Sequence, residues 1–124
     1  MKTVYIVDDS QVVRERLAAM IGDVEETMLA GTTGDPKEAV TDIRRLRPDA
    51  VILDIRMPGM NGIQVLRKIK EDLPSTVVIM LTNYPFEAYR RECIEAGADY
   101  FLHKSKEFEK INEILGTVGH KVKN

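Results

Sequence analysis

The chain is predicted to be an α/β protein, with five parallel strands doubly wound by five helices, and three observations predict it. Short apolar runs recur along its 124 residues, each too short for a helix. Between them lie segments of about 11 to 14 residues with helical period and recognisable ends. The runs are continuous rather than alternating, as strands buried on both faces require, so the sheet is expected to be parallel with helices on each side.

Val4-Tyr5-Ile6-Val7 is the first strand. Ser10 then caps a helix that places Val13, Leu17, Met20 and Ile21 on one face, and Gly22 suits its end. Met28-Leu29-Ala30 is the second strand candidate. Asp35-Pro36-Lys37-Glu38 starts the second helix: Asp35 as N-cap, Pro36 at the first helical position and Glu38 placed to close a capping box. This helix turns Ala39, Ile43 and Leu46 inward and stops before Pro48. Ala50-Val51-Ile52-Leu53 is the third strand, and Asn61-Gly62-Ile63-Gln64 opens a helix that buries Leu66 and Ile69 and closes before Pro74.

Val77 to Leu81 forms the fourth strand. Pro85 opens the fourth helix, with Tyr89, Cys93 and Ala96 one below another and Gly97 beyond its end. Tyr100-Phe101-Leu102 is the fifth strand; the last helix is expected from about Lys106, burying Phe108, Ile111, Ile114 and Leu115 and fraying between Gly116 and Gly119. Without repeats, low-complexity segments or linkers, residues 1–124 read as one domain.

Composition excludes more than it assigns. An apolar fraction of 44% and a charged fraction of 31% describe an ordinary globular chain. A net charge of −2 gives no footprint for nucleic acid, and the locally basic end, His120, Lys121 and Lys123, reads as solvated. There is no signal peptide and no segment of transmembrane length, so membrane insertion is not expected and the cytoplasm is. The single cysteine, Cys93, fits a reducing compartment and reads as a small buried hydrophobe.

Each strand but the second ends on a residue that can handle a phosphoryl group: Asp8-Asp9, Asp54, Thr82, and His103-Lys104. In an open parallel sheet, ligands bind outside the carboxyl ends of the strands. Any one of these residues is ordinary as a turn, cap or surface charge; the shared position on four strands is not. Three crowded carboxylates raise one another's pKa, and a divalent cation relieves them. The ligands on offer are oxygens, which suits Mg²⁺, and the cation Lys104 belongs opposite it, on a phosphoryl oxygen. One Asp then serves as nucleophile. No glycine-rich phosphate loop occurs, so ATP is not the expected donor. Strand alternation keeps His103 and Lys104 from sharing the pocket, and His103 is expected to face solvent.

The acidic pair Asp8-Asp9, the segment Asp54-Ile55-Arg56-Met57-Pro58-Gly59-Met60-Asn61-Gly62, Thr82 and Lys104 together resemble the receiver domain of two-component response regulators over essentially the whole chain. The resemblance implies a flavodoxin-like sheet of order 2-1-3-4-5. It implies that Asp54 accepts a phosphoryl group from a histidine of a sensor kinase or histidine phosphotransfer protein. Asp9, Asp54 and the backbone carbonyl of Arg56 would bind Mg²⁺, Asp8 would act mainly through a water, Lys104 would pair with one phosphoryl oxygen and Thr82 would hydrogen-bond another. Phe101, three residues before the lysine, would turn into the space Thr82 leaves, altering the face built from the fourth helix, fifth strand and fifth helix, where a downstream protein would bind. A homodimer stays open.

Three positions replace residues usual in the family. Phe101 replaces the commoner tyrosine, Ser105 replaces a frequent proline, and Asn83 replaces a small residue and narrows access. Arg56 and Tyr84, two residues after Asp54 and Thr82, flank the path of the hydrolytic water and are expected to slow phosphoryl loss. Phe101 read simply as core is the bland alternative.

Three other readings compete with a stand-alone signalling module. One is a receiver excised from a longer regulator: no helix-turn-helix follows residue 119, so direct transcription control would need further residues. Another is a Mg²⁺-dependent phosphatase or phosphotransferase with an aspartyl intermediate. The haloacid-dehalogenase type wants Asp-x-Asp after its first strand, and Asp8 and Asp9 are adjacent. A relic with a decayed pocket is the third, and all five pocket positions are intact. The chain is accordingly expected to assist its own phosphotransfer and slow dephosphorylation without separate substrate turnover.

Overall fold

The computed structural model describes residues 1–118; the expected fraying at Gly119 and the basic residues His120, Lys121 and Lys123 lie outside them. The element order is β1 (Lys2–Val7), α1 (Gln11–Gly22), β2 (Thr27–Thr33), α2 (Pro36–Leu46), β3 (Ala50–Leu53), α3 (Gly62–Asp72), β4 (Val77–Thr82), α4 (Glu87–Glu95), β5 (Tyr100–His103) and α5 (Lys110–Thr117). All pairings are parallel, in the order β2-β1-β3-β4-β5. Because β1 sends its next two strands to opposite sides, the connections diverge above the carboxyl ends of β1 and β3, which opens a crevice there.

Strand alternation divides the core. Tyr5, Val7, Val51, Leu53, Val78 and Met80 face α2, α3 and α4, with Ala39, Ile43, Leu66, Ile69 and Cys93 packed against them. Val4, Ile6, Ala50, Ile52, Ile79 and Leu81 face α1 and α5, against Leu17, Ile21, Phe108, Ile111 and Leu115. With both faces covered, truncating a wholly buried strand residue such as Leu53 to alanine costs about 2–5 kcal/mol.

Several boundaries correct the sequence reading. β2 extends from Thr27 to Thr33 rather than over three residues, because Gly31, Thr32 and Thr33 pair with Tyr5, Ile6 and Val7 although they are not an apolar run. α4 begins at Glu87, with Phe86 as its N-cap residue, rather than at Pro85. α5 begins at Lys110 rather than near Lys106: the Glu107 carboxylate accepts the His103 N–H at 2.8 Å and holds the intervening residues in turns. Glu38 does not close a capping box, since its carboxylate accepts from the Thr33 hydroxyl, whose oxygen in turn accepts the Asp35 N–H at 3.1 Å. Gly22 ends α1 without a left-handed conformation, whereas Gly97 has φ +104° after α4. Asn61 and Gln64 do form a reciprocal capping box on α3.

Candidate functional site

Four strands deliver the site: β1, β3, β4 and β5. Asp8 follows β1 and donates its N–H to Thr33 O at 3.0 Å; Asp54 follows β3 and donates its own to Val7 O at 2.9 Å, so both continue the sheet ladder. One ligand oxygen each of Asp8, Asp9 and Asp54 lies within 4.8 Å of the others. Asp8 is 2% exposed and Asp54 5%, while Asp9 is open to solvent. Burial on this scale without a cation partner would be costly for two carboxylates. Lys104, delivered by β5 and bonded through its N–H to Thr82 O at 2.8 Å, supplies one. Its Nζ lies 2.7 Å from Asp8 Oδ2 and 3.3 Å from Asp54 Oδ2.

The electrostatics leave Asp54 only partly compensated. Burial, then the Asp8 charge, push its carboxyl up to about 6, against the pull of Lys104 and of the Ile55 N–H that donates to its Oδ1 at 2.8 Å. Burial pulls the Lys104 ammonium down, but its bond to Asp8 and the charge of Asp54 outweigh that and raise it. The ammonium stays charged, and the three carboxylates still outnumber it. An all-oxygen cluster with one member exposed toward solvent fits a hard divalent cation.

Thr82 is wholly buried at the end of β4, and its Oγ1 accepts the Tyr84 N–H at 2.9 Å. The Arg56 guanidinium lies 4.2 Å from the centre of the Tyr84 ring, so the two residues expected to flank the pocket touch one another. Tyr84, Phe86 and Tyr89 continue as tilted aromatic neighbours into α4. Asn83 is exposed. Phe101 is half-buried against the core under α4, two register positions before the Thr82–His103 pair.

His103 stays out of the acidic cluster, as expected, although it is less open to solvent than strand alternation suggests. It is half-buried, and its Nδ1 lies 3.1 Å from the Ser105 N–H, which folds the turn after β5. No described peptide bond is cis, Lys104–Ser105 included. Cys93 is buried, and burial pushes its thiol up to about 11, in keeping with a packing role. Among the described residues no helix is long and apolar enough to cross a membrane.

The structure adds one contact to those expected: Arg14 Nη1, from α1, donates to Asp8 O at 2.7 Å. An arginine one turn into a helix that follows an acidic pair was the available signal.

Residues 4–116 match the family described as the response regulator receiver domain. The chain belongs to the receiver family. It is a response-regulator receiver domain, the module of phosphorylation-dependent two-component signalling. It is 37% identical over its whole length to protein-glutamate methylesterase/protein-glutamine glutaminase 1 of Methanospirillum hungatei, covering 37% of that protein. With the transcriptional regulatory protein LnrK of Bacillus subtilis it shares 36% identity over 95% of this chain and 54% of that one. The chain thus spans about a third to a half of these curated relatives. Among solved structures, the response regulator domain of Thermotoga maritima CheB superposes with a TM-score of 0.82 at 33% identity, covering 93% of this chain and 90% of that one. A chain of the Borrelia burgdorferi CheX–CheY–BeF3–Mg complex gives 0.81 at 29% identity, covering 92% and 89%.

Proposed function

We propose that Asp54 of this receiver accepts a phosphoryl group from a phosphohistidine of a sensor histidine kinase or histidine phosphotransfer protein. The observation that carries the proposal is the buried Asp54 carboxylate beside Asp8, Asp9 and Lys104 at one sheet edge. In the transfer the P–N bond to imidazole breaks and a P–O bond to Asp54 forms. Asp8, Asp9 and Asp54, with the backbone carbonyl of Arg56, are the residues that would hold Mg²⁺, which when bound offsets negative charge on the phosphoryl oxygens. Lys104, already between Asp8 and Asp54, is placed to move onto a phosphoryl oxygen, and Thr82 to donate to another. The domain turns over no separate substrate in this reading.

The output is a two-state change in the face formed by α4, β5 and α5, where a downstream protein binds. Thr82 is tied through the Tyr84 amide to the aromatic run leading into α4, and Phe101 lies against the same core. NMR of the phosphorylated domain is expected to show shifts at Phe101 and across residues 86–96. Shifts confined to the acidic pocket would remove the switch.

The lengths of the relatives favour a second reading, in which the same change acts on an effector carried in one polypeptide with the receiver, as a regulatory part of a longer protein.

A further inference from the structure

We infer that Arg14 and Gly34 form a latch that positions the Asp8–Asp9 turn for metal binding, making Arg14 a positioning residue of the site. The inference rests on the metal-binding part of the function proposed above.

β1 ends at Val7, and the backbone must turn sharply to bring two successive carboxylates to the sheet edge. Three bonds fix that turn. Asp8 N–H reaches Thr33 O at 3.0 Å, Asp8 Oδ1 accepts the Ser10 N–H at 2.9 Å, and Asp8 O accepts Arg14 Nη1 at 2.7 Å. Arg14 is the one charged partner of this backbone among the three, and it comes from α1, so it couples the turn to a helix rather than to a neighbouring loop. Bonds from a cationic donor are shorter and stronger than neutral ones.

Gly34 explains how the guanidinium fits. A Cβ there would lie 2.7 Å from Arg14 Nη1, 3.3 Å from Asp8 O and 3.3 Å from the Asp9 Cα. Gly34 does not adopt the left-handed backbone that by itself calls for glycine, so what the position supplies is space. Any side chain would displace the guanidinium and press on both acidic residues. Arg14 is thus an outer support for the cluster: it supplies no ligand atom, but holds the peptide from which Asp8 and Asp9 project.

The test is calorimetric Mg²⁺ titration of the whole chain at fixed ionic strength, without phosphorylation. Arg14→Ala is expected to weaken Mg²⁺ binding roughly 10-fold, the usual loss when an outer support is removed. Gly34→Ala should weaken it similarly, and the double variant should bind no more weakly than Arg14→Ala alone, because both changes act by removing the same guanidinium from Asp8 O. Arg16→Ala, which removes the same charge from the same helix but stacks on Phe108, controls for net charge and should bind as the native chain does. Arg14→Lys, which keeps a donor, should recover part of the affinity and guards against loss of folding. With a small phosphodonor, Arg14→Ala should raise the Mg²⁺ concentration for half-maximal uptake and leave the rate at saturating Mg²⁺ near native. Equal Mg²⁺ affinity in Arg14→Ala and Arg16→Ala, or additive losses in the double variant, would overturn the latch. Native protein that binds Mg²⁺ but takes up no phosphoryl group would instead overturn the phosphoacceptor reading and leave the latch judged by affinity alone.

Discussion

At the residue scale, the carboxylates, Thr82 and Lys104 were legible in the sequence because each follows an apolar run at a carboxyl end, where topology leaves little choice of direction. What the sequence did not reveal is how those residues neutralise one another. Lys104 sits between Asp8 and Asp54 rather than apart from them, an arrangement set by three strand ends at once. Arg14 is harder to read for a related reason: its partner is a backbone carbonyl, and its place one turn into the helix after the acidic pair is a weak mark of that contact. Arg56 and Tyr84, both expected to flank the pocket, stack on one another. Their contact gives a definite expectation: Arg56→Ala and Tyr84→Ala each shorten the lifetime of the phosphorylated form by roughly two- to fivefold, the factor corresponding to a cation–π contact of about 0.5–1 kcal/mol. The double variant should lose no more than that. Decay followed by intact mass checks this, and unchanged lifetimes in both single variants would exclude the pair from any gating role.

At the scale of elements, strands buried on both faces and helices with side-chain caps were read within a residue or two. Asp35 accepts the Lys37 N–H at 2.9 Å, and Asn61 with Gln64 closes a reciprocal box, so α2 and α3 start where their caps say. α5 has no such cap, and it starts later than the sequence pattern suggests because Glu107 bonds to His103 instead of joining the helix. The polar end of β2 was lost because pairing with β1, not burial, makes it a strand. α3 also shows why a glycine follows Asn61. A Cβ on Gly62 would lie 1.8 Å from Asp54 O, and the Gly62 N–H donates to Ile55 O at 2.6 Å. The helix start therefore rests directly on the backbone of Asp54 and Ile55. Gly62→Ala is expected to cost about 2 kcal/mol or more in chemical denaturation, since backbone rather than a mobile side chain must give way. Near-native stability would contradict that packing.

For the whole molecule, the site depends on a sheet that keeps four strand ends in register, and that sheet contains a buried ionisable group of its own. Tyr5 is 1% exposed and its hydroxyl donates to Asp42 Oδ2 at 2.6 Å. Burial, then the bond to Asp42 and its charge, hold the phenol well above its ordinary value of 10.0. The folded state keeps this proton at pH values where the unfolded chain releases it, so the stability Tyr5 contributes is complete below about pH 10 and falls as pH rises beyond it. Tyr5→Phe is expected to cost about 1 kcal/mol at neutral pH, through the lost hydrogen bond, and to flatten the decline above pH 10. Urea midpoints across that range check the sign, and parallel declines in both proteins would contradict it. The central claim, that this sheet edge makes Asp54 the phosphoacceptor, is tested most directly by intact mass after incubation with a small phosphodonor and Mg²⁺. The account predicts that native protein gains the mass of one phosphoryl group, dependent on Mg²⁺, and that Asp54→Asn gains none; equal uptake in both would contradict it.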